Sequence, residues 1–551
     1  MISISYCRTK IKLNCTRNND HTVIENLLFF SKEKNQQGMI EIMDTTLRDG
    51  EQTSGVSFAA QEKVSIARLL LEEVCVDRIE VASARVSDGE YKAVRKIAKW
   101  AQENGHIDKV EVLGFIDGRV SLDWITSAGC RVINLLCKGS LKHCKYQLKQ
   151  TVEQHIEKIE EVIANAQEMG VTVNIYLEDW SNGMNDSEEY VFQLMDKLQH
   201  QPIRRFMLPD TLGILNPDKV KEYVSKMVAR YPQLHFDFHA HNDYDLAVAN
   251  VYEAIKAGAK GVHVTMNGLG ERAGNASLTS VLALIHDHLK MKTNINENNV
   301  YYVSKVIESY SGVRISKNMP IIGDNVFTQV AGIHADGDKK KNLYQSNLSP
   351  ERFDRAREYA LGKTSGKANI LNNLLALGIE LDDESMTKVT ARIIELGDQK
   401  EIVTLDELPY IISDVLKNGL EDNDIQMLNY SFTLADGLRP TATIKISIKG
   451  EVYQQTSSGD GQYHAFSKAM YKIYKQLDKP TPELLDYAVV IPPGGRTDAF
   501  VQTIITWKFE GKTFKTRALD VDQTVAAVKA TMKMLNMVES GNIPSIRYIE
   551  L

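Results

Sequence analysis

A guanidinium, two carboxylates and a glycine meet at Arg48-Asp49-Gly50-Glu51, directly after the apolar run that begins at Ile40. A strand that merely turned would need only a polar residue or two. A clustered cation and hard oxygen donors are costly to desolvate unless something binds them; a structural ion pair is the plainer alternative. A second cluster lies at His239 and His241. Spaced by two in an extended segment, both imidazoles leave the same face. Asp49, after the first such segment, and Asn275, after the last, complete a set of nitrogen and oxygen donors. That set suits a hard or borderline divalent ion such as Mg, Mn or Zn, with positions left for substrate. Two strand histidines satisfied by neighbouring side chains are the other reading. Arg48 beside a metal would stabilise an oxyanion, because the two together draw charge from a developing enolate or alkoxide. Tyr176 and Glu178 repeat the i, i+2 spacing. Glu178 is a candidate general base or proton shuttle, or else a salt-bridge partner within the fold.

These residues need elements that bring distant segments to one place. From Met39 onward, β-rich runs alternate with amphipathic helical stretches. Strands are predicted at 40–44, 78–82, 110–115, 132–137, 172–178, 205–209, 233–239 and 261–266. Helices are predicted at 60–73, 90–104, 153–169, 187–198, 219–230, 245–257 and 277–289. Alternating βα units imply a parallel sheet, and eight of them imply a closed (β/α)8 TIM barrel, an α/β fold. The polar residues follow the strands: Arg48-Asp49, Ser83 to Arg85, Glu178-Asp179, Asp210-Thr211, His239 to Asp243 and Asn267 to Asn275. In a barrel all of these ends share one mouth. The glycines from Gly268 to Gly274 follow the eighth strand and enclose charge, so they are not a dinucleotide loop.

At 551 residues the chain exceeds one core and predicts several folding units. The expected divisions are an extension over 1–38, the catalytic barrel over 39–300, a mainly helical linker over 301–423 that completes the active site, and an α+β domain over 424–551. In the last, strands at 431–434, 441–448 and 451–457 with a helix at 461–477 are echoed by strands at 485–491, 503–509 and 512–517 with a helix at 524–535. This is read as a pseudo-symmetric ββα repeat serving regulation or assembly. The net charge of -7 is spread along the chain, which favours neither nucleic acid nor an anionic membrane as partner. Six cysteines without paired spacing read as free thiols of a reducing cytoplasm. Residues 1–38 lack a secretory core and read as a poorly ordered extension ahead of Met39, a transit peptide being the other reading.

The segments DTTLRDGEQ, HAHNDYDLAVAN, NGLGERAGN and GIHADGDKK resemble the signatures of the α-isopropylmalate, homocitrate and citramalate synthase family. The resemblance runs from about Met39 to near the C-terminus, through IIELGDQK, IPPGGRTDA and DQTVAAVKATMKML. It implies a metal-assisted Claisen condensation in which acetyl-CoA, as co-substrate, adds to a 2-oxo acid chelated by a metal on Asp49, His239 and His241, with Asn275 nearby. Arg48 would bind substrate and stabilise the enolate or alkoxide, Thr211 would hold the substrate carboxylate, and Glu178 would remove or relay the proton. His334, Asp336, Asn342 and Tyr344 match residues that reach the mouth from the post-barrel segment, commonly of a partner subunit in a homodimer. His334 and Tyr344 would be catalytic there. Lys339 to Lys341 remain a solvated run rather than a contact to CoA phosphates.

The same resemblance places Leu113, Leu136 and Tyr176 where the substrate side chain sits, as in the citramalate-forming branch. Large apolar groups there leave room for a methyl but not an isopropyl substituent, which favours pyruvate over 2-oxoisovalerate. No basic residue is evident for the second carboxylate that a homocitrate-forming enzyme would bind. GDKKKNLYQ and REYALGKTSGKANI are also closest to the bacterial citramalate branch. The C-terminal domain would dimerise and bind the end-product amino acid, isoleucine or alternatively leucine. Two other classes compete: a metal-dependent aldolase or lyase on the same barrel, and an amino-acid sensor that keeps the barrel as a scaffold.

Overall fold

The computed structural model describes residues 38–329, 346–377, 379–398, 425–490 and 501–539, together with Leu343, Val403, Leu408, Ile411, Ile412 and Val415. They form two compact units, one within Met1–Val326 and Asn347–Arg355, the other within Phe327–Ser346 and Ala356–Leu551. The extension expected before Met39, apart from Gly38, lies outside the described residues.

In the first unit eight parallel strands close into a barrel in chain order: β1 (Glu41–Asp44), β2 (Arg78–Ser83), β3 (Val110–Phe115), β4 (Val132–Lys138), β5 (Thr172–Glu178), β6 (Ile203–Asp210), β7 (Phe236–Ala240) and β8 (Gly261–Val264). Closure comes from β1 pairing with both β2 and β8. Each expected strand is present. β7 starts three residues later than its predicted bound, because Leu234 closes a turn onto the Tyr231 carbonyl.

The covering helices start where local chemistry says they should. The Ser87 hydroxyl caps Asp88–Glu103, Thr151 and Gln154 form a capping box on Val152–Glu168, and Asn216 caps Pro217–Arg230 with proline in the first turn. Two short helices, Val120–Ser127 and Trp180–Asp186, were not expected. Neither is long enough to display an apolar period.

Strand residues alternate between two buried environments. Ile42, Ile79, Val112, Ile133, Val173, Phe206, Phe238 and Val262 are buried against the helices. On the alternate positions Met43, Leu113, Tyr176 and Met207 form an apolar band inside the barrel, with Leu136 packed on it. Toward the N-terminal ends of the strands the interior is charged. Arg78 meets Glu111 through Nη1 at 3.2 Å and Asp237 through Nη2 at 2.5 Å. Side chains from β2, β3 and β7 can meet only across the barrel axis.

The second unit holds a helical cluster in which Leu361, Ile370 and Leu374 pack with Met386, Val389 and Ile393. After it come two antiparallel three-stranded sheets. Ile425–Thr433, Thr441–Ile448 and Glu451–Ser458 precede the helix Gln462–Gln476; Glu483–Val490, Val501–Phe509 and Lys512–Asp520 precede Gln523–Glu539. The repeat is therefore βββα, with all three strands predicted in each copy present, where the label ββα counts one too few. Each copy carries an irregularity at the same place in its first strand, between Met427 and Asn429 and between Leu484 and Asp486. Ile444, Ile446, Phe466, Met470, Trp507, Phe514, Met534 and Leu535 share one core.

Among the described residues no helix is long and apolar enough to cross a membrane. Cys75, Cys130, Cys137 and Cys144 are free.

Candidate functional site

The turn after β1 is wound on one acceptor: the Thr45 carbonyl receives the N–H groups of Arg48, Asp49 and Gly50 at 3.1, 2.8 and 3.1 Å. This tight turn aims Arg48 and Asp49 into the C-terminal mouth. Glu51, next in the same motif, is drawn away. Its carboxylate bonds the Phe58 N–H at 2.9 Å and the Lys63 ammonium at 2.5 Å, and Lys63 also holds Glu90. The wholly buried Lys63 thus ties the turn to two helices.

Asp49, His239 and His241 converge as the alternation on β7 requires. Asp49 Oδ2 lies 3.1 Å from His239 Nε2 and 3.7 Å from His241 Nε2, and the two Nε2 atoms are 3.3 Å apart. Three donors each about 2.0–2.2 Å from one ion stand roughly 3–3.5 Å from one another in octahedral or tetrahedral geometry. All three are buried, and neither Asp49 oxygen has a hydrogen-bond partner. Asn275 is bridged to His241 through its backbone; its Nδ2 donates to the Leu269 carbonyl while its Oδ1 is unpartnered.

Burial by itself would raise the Asp49 carboxyl, but the Arg48 guanidinium, with His239 and His241, outweighs it and holds the group well below the usual carboxylate range. Burial lowers both imidazoles, that of His241 to about 4. An ionised carboxylate beside two neutral imidazoles is the protonation state a divalent ion requires. The residues present fit such an ion.

Arg48 is held on three sides. Nε donates to Glu80 at 2.5 Å, Nη1 lies 3.3 Å from Asp49, and Nη2 is 3.4 Å from the Tyr176 hydroxyl. Glu80 is itself fixed by Asn134 at 2.7 Å, and Asn134 by Asn174 at 2.8 Å. The Tyr176 hydroxyl meets His263 Nδ1 at 3.0 Å. Leu113 and Tyr176 are buried in the apolar band beneath, with Leu136 against them.

Glu178 reaches the mouth but is ion-paired to Lys138. The salt-bridge reading of its spacing is thus met, by a carboxylate that stands at the end of its strand. Lys138 is a basic residue at the mouth that sequence reasoning missed, and its charge is met by Glu178. Thr211 Oγ1 accepts the Asp179 N–H at 2.9 Å, which leaves its own proton to donate. Arg272, also missed, donates to the Thr211 carbonyl at 2.8 Å and to Asp243 at 2.7 Å, joining the loops after β6, β7 and β8. Its position in NGLGERAGN was the available signal. His334, Asp336, Asn342, Tyr344 and Lys339 to Lys341 lie outside the described residues.

The HMGL-like family profile matches residues 39–307, the homocitrate synthase post-HMGL domain-like profile residues 321–401, and the LeuA allosteric (dimerisation) domain residues 402–539. A putative (R)-citramalate synthase of Methanopyrus kandleri is 34% identical over 84% of this chain and 88% of its own length. The chain belongs to the α-isopropylmalate, homocitrate and citramalate synthase family. Within this family of acyltransferases, other similar relatives carry two different names. A probable 2-isopropylmalate synthase of the same organism is 32% identical over 90% of this chain and 98% of its own. An (R)-citramalate synthase of Methanocaldococcus jannaschii is 31% identical over 91% and 99%. Identity alone does not choose between the two family activities, so the pocket must.

Proposed function

We propose that this enzyme condenses acetyl-CoA with pyruvate to give (R)-citramalate and CoA, in the cytoplasm, on the route to isoleucine. The observation that supports the choice of pyruvate is the apolar wall of Leu113, Leu136 and Tyr176, packed with Met43 and Met207 inside the barrel. A methyl substituent fits against such a wall more readily than an isopropyl group.

A divalent ion held by Asp49, His239 and His241, with Asn275 beside them, would act as a Lewis acid toward the 2-oxo acid. The chain's own groups do the rest. The Thr211 hydroxyl donates to the substrate carboxylate. Glu178 accepts or relays the methyl proton of acetyl-CoA, and the resulting enolate carbon attacks the ketone carbon. Arg48 offsets the negative charge that develops on oxygen; its three fixed contacts mean that little reorganisation accompanies that step. The alkoxide is then protonated, and water cleaves the thioester to release CoA. His334 and Tyr344, with Asp336 and Asn342, would complete the site from the post-barrel segment of a partner subunit in a homodimer. The C-terminal domain would bind isoleucine as end-product effector.

The deciding experiment compares release of CoA thiol with pyruvate and with 2-oxoisovalerate at matched concentrations, with Mg or Mn present. Preference for pyruvate is expected. Preference for 2-oxoisovalerate would make the enzyme a 2-isopropylmalate synthase and leucine the effector, the reading that its isopropylmalate-named relatives favour. In a Leu113→Ala variant the kcat/KM ratio of pyruvate to 2-oxoisovalerate should fall by about 10–200-fold, the usual range for altered apolar pocket volume. An unchanged ratio would remove Leu113 from the specificity wall.

A further inference from the structure

The register between β4 and β5 stacks three interior pairs: Asn134 opposite Asn174, Leu136 opposite Tyr176, and Lys138 opposite Glu178. Residues two apart on a strand share a face. The lowest pair is an amide contact leading to Glu80, the middle pair is part of the pocket wall, and the uppermost is an ion pair at the mouth. Lys138 thus stands directly over Leu136, and Glu178 over Tyr176.

Lys138 is only 8% exposed, and its backbone is clamped from behind. Its N–H donates to His155 Nε2 at 3.1 Å, and its carbonyl accepts the Tyr190 hydroxyl at 2.7 Å. At the next residue, Gly139, a Cβ would come within 2.5 Å of the Leu177 carbonyl oxygen. The two strand ends can approach this closely only with glycine there, and that approach holds ammonium and carboxylate together. A half-buried ion pair adds little net stability, because partial desolvation of both charges offsets their attraction. Lys138 engages Glu178 through Oε2 alone.

We propose that Lys138 is a positioning residue for Glu178: it keeps the carboxylate turned over the pocket wall, leaving Oε1 to take the proton. The assignment rests on the condensation reading above. Among the described residues of β4 and β5, the basic side chain so placed is thereby committed to Glu178.

The test is steady-state kinetics of the full-length holoenzyme with acetyl-CoA and pyruvate, comparing Lys138→Met, Lys138→Arg and a Glu178→Gln background. Lys138→Met should lose about 10–100-fold in kcat, the range typical when a partner of a working group is removed. Its KM for pyruvate should move by less than about 3-fold, because uniform binding is untouched. Lys138→Arg should recover part of kcat. In the Glu178→Gln background, Lys138→Met should cost little more, since the two act as a unit. An unchanged kcat in Lys138→Met would overturn the proposal. So would a loss carried mainly in the KM for pyruvate, which would make Lys138 a substrate ligand. Should Lys138→Met not fold, Lys138→Gln with Glu178→Gln keeps a neutral hydrogen-bonded pair, and the same split is read against Glu178→Gln alone. A wild-type enzyme inactive with both oxo acids would instead defeat the condensation reading, which is how the two failures are told apart.

Discussion

His241→Ala is expected to leave a folded protein that holds almost no divalent metal and turns over at least about 100-fold more slowly than the wild type. That bound is the upper end of what losing an outer partner of a metal ligand costs, and His241 is placed to bind directly. The fold should survive because no buried charge is orphaned: Asp49 still faces Arg48 at 3.3 Å and His239 at 3.1 Å. Metal analysis after dialysis, thermal unfolding and CoA-thiol release check the three parts. The wild-type enzyme treated with a chelator should behave in the same way and recover with Mg or Mn, whereas His241→Ala should not recover at equal concentration. A variant with full metal content and near-normal turnover would show that the three donors are a hydrogen-bonded cluster and not a metal centre. The experiment also separates an enzyme from an amino-acid sensor, which would keep effector binding and have no turnover to lose.

Arg78→Met should be the most destabilising single change in the barrel. Arg78 is 3% exposed, and both Glu111 and Asp237 are fully buried. Without the guanidinium, the Glu111 carboxylate loses its cation in the interior and Asp237 keeps only His235 and His263, at a cost of about 3–5 kcal/mol. At about 2–4 °C per kcal/mol for a unit of this size, the barrel's unfolding midpoint should drop by roughly 6–20 °C. Because the chain has two units, the transition should be followed by a probe within the barrel rather than by total signal. Arg78→Met with Glu111→Gln should recover part of the loss, since one unpaired charge is gone. If the double variant were less stable than the single, the penalty would come from packing around Met43, whose sulfur lies 3.3 Å from Arg78, and not from charge.

The sequence by itself determined the barrel, since each strand is a short apolar run between helices with their own start signals, and such signals are local. It determined the convergence of Asp49, His239 and His241 on the same terms: a His-x-His pair on a strand has one geometry, and an acidic residue after the first strand must reach the mouth. What the chain did not announce depends on register. Glu51 stands beside Asp49 in one motif, yet Lys63, twelve positions on, removes it from the site. Arg78, Glu111 and Asp237 each look like a solvated charge in sequence. Only closure of the barrel brings β2, β3 and β7 across one axis. Lys138 acquires a meaning only when β4 and β5 pair so that it faces Glu178. Local periodicity settles which elements form and which face a residue takes. Contacts between residues far apart in the chain have no period, so tertiary structure alone decided which charges are paired and which remain to do chemistry.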